Sequence, residues 1–213
     1  MSIQAFEIQL YEKLNQFFFE HDYLLMVDKK QYRKITTSGF LNVIFTCTSY
    51  ENEILLDVNM GCRNEKIEQI AQQYLGNARD YWEDANTFVI SIGKFNDSKN
   101  FRYKIQTDSD LDDACEEIRS FLLVHGFEFL QSNHTLDAIH QMFNATPKLP
   151  CKYVYNQSHR RFKGLIVSKF VNDENFKDLF EKHRRGLIFS HASEEEVQTF
   201  DRLMGFLMYV SDN

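Results

Sequence analysis

The run from Tyr32 to Cys62 reads as consecutive strands, with apolar residues alternating within its segments as in strands with one dry face. Val43, Phe45 and Cys47 share one side of a segment running from Phe40 to Tyr50. After the polar pair Glu51 and Asn52, the residues Ile54, Leu56, Val58, Met60 and Cys62 point one way while Asp57 and Asn59 point the other. Two alternating runs joined by a short polar turn predict a hairpin. Tyr32 to Thr37 predicts a strand before it. Thr87 to Ile92 and Phe101 to Ile105 predict a second strand pair, with Phe101, Tyr103 and Ile105 alternating against Arg102, Lys104 and Gln106.

Elsewhere the period is that of a helix. Ile3, Phe6, Leu10, Leu14, Phe17 and Phe18 make one stripe over residues 2–21, and Leu111, Ala114, Cys115, Ile118, Phe121, Leu122 and His125 make another. Asn64 is placed to cap a helix carrying Ile67, Ile70 and Ala71. A short helix is predicted over 135–144. Beyond it the pattern is helical to the end, with Ser193 and Glu196 in capping-box spacing ahead of Val197, Phe200 and Leu203. The fold class is therefore α+β: an antiparallel sheet of about five strands packed by helices on one face, with a C-terminal helical annex. Pro147 and Pro150 are the only prolines, and they predict a boundary between an α+β domain at 1–146 and a helical annex at 151–213 packed on it as one unit.

With 20 Phe and 10 Tyr in 213 residues, the chain has material for a well-filled aromatic core. Eight Gly and two Pro are too few for an active site built on long loops. The glycine-rich phosphate cradles are absent from the sequence. Cys47, Cys62, Cys115 and Cys151 match neither zinc nor redox spacing and read as small buried hydrophobes in a reducing compartment. The N-terminal segment lacks the basic start and unbroken apolar core of a signal peptide, so a cytoplasmic protein with no membrane association is expected.

Charge is unevenly spread. Residues 1–150 carry 14 Lys and Arg against 22 Asp and Glu, whereas residues 151–213 carry 10 against 9. Asp108, Asp110, Asp112 and Asp113 crowd the start of one predicted helix, where carboxylates favour the positive end of the helix dipole. They also form a candidate acidic face for a basic partner. Between Asp137 and Asp173 no acid occurs, and this gap holds Tyr153, Tyr155, His159, Arg160, Arg161 and Lys163. Those six are the candidate contacts for an anion or an acidic partner; the other reading is that the cations neutralise the acid-rich part of the chain internally.

No catalytic signature accompanies these charges. The seven histidines form no HExxH motif, and no GxSxG elbow is present. Cys151, beside Lys152 in the acid-free gap, is the single thiol in an electropositive setting suited to a nucleophile. No catalytic residue, metal site or cofactor is assigned.

One resemblance stands beside these readings. The segment Tyr32, Arg33, Lys34, the hairpin ending in Asp57 to Gly61, the helix Asp110 to Ile118 running on to Phe127–Leu130, and then Leu136 to Ile139 follow in this order. Over roughly residues 5–145 the chain resembles uncharacterised bacterial domain-of-unknown-function families of small α+β proteins, some encoded near contact-dependent toxin systems with an immunity role ascribed to them. The resemblance implies a fold and a shortage of known chemistry, and carries no active-site residues. The expected function is thus a non-enzymatic cytoplasmic protein-binding module, immunity-like, acting through charge complementarity. The alternatives are an enzyme with an unfamiliar site, a phosphate-recognising hydrolase or transferase, and a nucleic-acid binder through residues 148–169. Nucleic acid is the weaker partner class because the chain has a net charge of −7.

Overall fold

The computed structural model describes residues 2–98 and 100–209. The protein is α+β, with a six-stranded sheet and helices before, between and after its strands. The chain forms two compact units, one from residues 1–62 and 89–132, the other from 63–88 and 133–213. The division does not fall at Pro147 and Pro150. Residues 133–213 belong with 63–88, a segment that periodicity alone had grouped with the strands on either side of it. Of the annex expected at 151–213, residues 210–213 lie outside the described residues.

In the first unit, α1 (Ile3–Glu20) starts at Ser2, whose hydroxyl accepts the Ala5 N–H at 3.2 Å. The helix buries Phe6, Leu10, Leu14 and Phe18. The sheet order begins at β1 (Leu24–Met26), followed by β2 (Gln31–Thr36), β3 (Gly39–Ser49), β4 (Ile54–Asn64) and β5 (Phe88–Ser91). β2 and β3 pair antiparallel with Tyr32 opposite Val43 and Thr36 opposite Gly39. Tyr32 then stacks on Phe18 with ring centroids 3.9 Å apart, and Phe45 meets the same two rings edge-on. The aromatic residues thus form the packed seam between α1 and the sheet. On β4, Ile54, Leu56, Val58, Met60 and Cys62 are buried and Leu55, Asp57 and Asn59 half-buried, which is the alternation of the sequence.

The second strand pair forms differently from expectation. β6 (Tyr103–Ile105) pairs antiparallel with β4, Ile54 opposite Ile105, and not with β5. Ser91 explains the break, since its hydroxyl accepts the Lys94 N–H at 3.1 Å and starts α3 (Ile92–Phe95), which turns the chain away from a hairpin. Gly93 permits that turn: a Cβ there would lie 2.7 Å from the Phe101 Cβ. α4 (Asp108–Phe121) follows, buries Leu111, Ala114, Cys115 and Ile118, and passes through a π-turn at Leu122–Gly126 into α5 (Phe127–Ser132). Gly126 sits so close to β4 that a Cβ would meet the Met60 sulfur at 2.9 Å.

The second unit is helical around one central element. It holds α2 (Glu65–Ala71), α6 (Leu136–Asn144), α7 (Gln157–Phe170), α8 (Phe176–Phe189) and α9 (Glu194–Leu207). α7 packs against α2, α6, α8 and α9, and every residue from Arg160 to Ser168 is buried. A helix enclosed on all sides has no wet face, so any charge on it must be satisfied inside the protein. Asn64 does not cap α2 with its side chain; its backbone N–H donates to the Thr87 hydroxyl at 2.8 Å and its amide to the His134 carbonyl. Among the described residues, no helix is long and apolar enough to cross a membrane.

Candidate functional site

The acid-free gap folds mainly into α7, and that decides where its cations go. Arg160 is 1% exposed and donates to the carbonyls of Phe143 at 2.8 Å and Pro147 at 2.9 Å. It thereby satisfies the C-terminal end of α6, where orphan carbonyls and the helix dipole favour a cation. Arg161 is buried with its guanidinium against Gly186, where a Cβ would stand 2.6 Å from Nε. Burial holds both guanidinium groups below their ordinary basicity. Lys163 forms an ion pair with Glu68 at 2.9 Å and donates to the Asn86 carbonyl at 2.6 Å, with Glu68 fully buried and held by Gln72 as well. Arg160 and Lys163 are met by carbonyls and a carboxylate within the second unit and Arg161 reaches the Ser190 hydroxyl at 3.5 Å, so the three are not gathered on a surface. Tyr153 and His159 are half-buried and Tyr155 is exposed. His159 opens on a 190 Å³ hollow walled by Glu195 and Glu196, and burial, then Lys163, lower its pKa. Carboxylates on that wall are unsuited to an anion. Cys151 is buried.

A buried polar chain lies beside these cations. The Asn144 amide donates to the Gly164 carbonyl at 2.8 Å and to His140 Nδ1 at 3.0 Å, while its oxygen accepts from His183 Nε2 at 2.8 Å. The Gly164 carbonyl fixes which way the amide points, and hence both imidazole tautomers. His140 Nε2 then faces Asp173 at 3.3 Å. The chain is inside the fold and defines no opening to a substrate.

The four aspartates expected to form an acidic face divide by role. Asp110 closes a capping box with Thr107, its carboxylate accepting the N–H groups of Gln106 and Thr107, and these bonds lower its pKa. Asp112 pairs with Lys13 at 2.6 Å. Asp108 and Asp113 are exposed on the same helix.

Asp108 lies on the rim of a 210 Å³ hollow between α1, the β3–β4 turn and the start of α4. Phe6, Ile54, Ile105 and Leu111 supply apolar lining, and Glu51 and Glu53 join Asp108 as its carboxylates. A neighbouring hollow shares Gln9 and Asp108 and adds Glu12, Lys13 and Asp112. Lys13 is the one cation lining either hollow, and it is already paired. The side-chain oxygen of Gln9, which lines both, is buried without a hydrogen-bond partner. Apolar lining, an unsatisfied acceptor and several carboxylates together suit a long aliphatic cation, whose stem covers apolar surface while its head meets the acids.

Asp108 and Asp112 belong to the acidic run visible in the sequence, but Gln9, Glu12, Glu51 and Glu53 were not singled out as site residues. Glu51 could be read only as a turn residue, because its approach to α4 depends on β4 pairing with β6. No group of three or more metal-ligating side chains occurs among the described residues. No protein-family model, curated protein or solved structure matches the chain.

Proposed function

We propose that this protein is a non-enzymatic, cytoplasmic protein-binding module of the immunity type, recognising a basic segment of another protein by charge complementarity. The observation that carries this reading is the pair of connected hollows beside α4, where five carboxylates and an orphaned Gln9 oxygen surround one paired lysine. A lysine or arginine side chain fits that chemistry: its methylenes lie on Phe6, Ile54 and Leu111, and its head donates to Gln9 and the rim. Four cysteines without a disulfide are in keeping with a reducing compartment. The alternative anion or nucleic-acid site on residues 148–169 has less support, because Arg160, Arg161 and Lys163 are buried and bonded.

The test uses a fluorescein-labelled twelve-residue peptide of alternating Lys and Leu, read by anisotropy at low and moderate salt. Saturable binding that weakens with salt is expected. Replacing Glu12, Glu53 and Asp108 by Lys should abolish it while leaving the thermal midpoint within a few degrees, since all three are on the rim. Equal binding of the charge-reversed variant, or equal binding of an acidic peptide of the same length, would remove the reading.

A further inference from the structure

A separate hollow of 260 Å³ lies beside the next stripe of α4. It is lined by Ile92, Phe101, Tyr103, Phe121 and Glu117, with Gly93, Asn96 and Ser98 at the loop that closes it. Phe101 and Tyr103 stand nearly perpendicular, 80° between planes with centroids 4.9 Å apart, so they form two walls of a corner. Phe121 supplies further aromatic lining and is itself braced edge-on by Phe95 at 5.4 Å. Asp113, Glu117 and Phe121 are spaced four residues apart on α4, so acid and aromatic share one helix face. The ion pairs of α4 are Lys13 with Asp112 and Arg119 with Glu116, which leaves Glu117 without one among the described residues.

The faces of aromatic rings attract cations, and a carboxylate at the rim adds a full charge. Together they favour a weakly hydrated cation over a neutral group of the same shape. The corner is also built by the fold: Gly93 is what lets Ser98 and Phe101 approach, since a Cβ there would lie 2.7 Å from the Phe101 Cβ and 2.9 Å from the Ser98 carbonyl. We infer that Phe101, Tyr103, Phe121 and Glu117 form a binding site for a methylated or quaternary ammonium group. The site stands apart from the lysine-accepting hollows proposed above and does not depend on them. Its ammonium would come either from a methylated lysine of a protein or from a small free quaternary amine. Burial first, and the Glu117 carboxylate second, push the Tyr103 pKa up to about 12.

The experiment is an NMR titration of the full chain with choline chloride, with its neutral isostere 3,3-dimethylbutan-1-ol, and with a short peptide carrying trimethyllysine. Choline should shift the Phe101, Tyr103 and Phe121 ring signals saturably, and the isostere should bind about ten-fold more weakly. Phe101→Leu and Glu117→Gln, both at exposed positions, should each weaken choline by roughly five-fold or more while the remaining spectrum is preserved. A trimethyllysine peptide binding more tightly than choline assigns the source to a protein; the reverse assigns it to a free amine. Equal affinity for choline and its isostere, unchanged choline affinity in both variants, or no saturable shift at all overturns the inference.

Discussion

Replacing His183 by Gln takes the one fully buried imidazole out of the second unit while keeping a donor where its Nε2 stood. In the native arrangement Nε2 donates to the Asn144 oxygen at 2.8 Å, and Nδ1 is buried with no hydrogen-bond partner. A proton on Nδ1 would place a charge in a dry site facing Arg160 and Arg161 of α7 and Lys182 of α8; burial first, then these cations, push the His183 pKa down to about 3 from an ordinary 6.5. Above pH 6.5 the imidazole is neutral in both folded and unfolded chains, and stability from this source is fully present. As pH falls below 6.5 the unfolded chain takes up a proton that the folded one refuses, so stability is lost until the folded group titrates near pH 3. At about 1.4 kcal/mol per pH unit, the two units between pH 6.5 and 4.5 remove roughly 2–3 kcal/mol. Urea unfolding followed by circular dichroism at pH 7.5, 6.5, 5.5 and 4.5 measures this. His183→Gln should lose some stability at pH 7.5 through poorer packing, yet fall less steeply toward pH 4.5 by about that amount. The carboxylates titrate alike in both proteins and cancel in the difference. Parallel stability curves would refute the buried neutral imidazole.

Two further outcomes follow from charges on α7. Lys163→Met leaves Glu68 buried and unpaired and should cost about 3–5 kcal/mol in denaturant unfolding, while the double replacement with Glu68→Leu should recover most of the loss. Arg160→Ala strips the donors from the Phe143 and Pro147 carbonyls, and a drop of roughly 2–4 kcal/mol is expected, in place of a folded protein that has merely lost an anion site; an unchanged urea midpoint would show that the guanidinium is not held as described.

The strand and helix positions were legible because they depend on local spacing. Ile54 to Cys62 alternate in the sequence and alternate in burial, and the α1 stripe at Phe6, Leu10, Leu14 and Phe18 is the face that the sheet covers. Ser193 ahead of Glu196 is an end signal whose hydrogen bond forms within one turn. Strand partners were less legible. The alternation of Phe101, Tyr103 and Ile105 identifies a dry face, and nearness along the chain points to β5 as its partner, whereas Ser91 and Gly93 turn the chain and β6 pairs with β4.

The candidate sites divide along the same line. The aspartates of α4 were visible as a charge cluster, yet their separate roles depend on neighbours: Asp110 turns back on its own helix, Asp112 meets Lys13, and Asp108 borders a hollow completed by Glu51 and Glu53 from a distant turn. The acid-free gap was equally visible, and its uncharged core from Gly164 to Ser168 is the local sign of a helix without a wet face. Composition and periodicity determined the α+β class, the element positions and the uneven charge, because each is a property of residues close along the chain. Whether a charge reaches solvent or a buried carbonyl was decided only in three dimensions, since burial is set by what packs around a residue. That is why Arg160 and Lys163, which sit on the same helix as the half-exposed His159, became parts of the core.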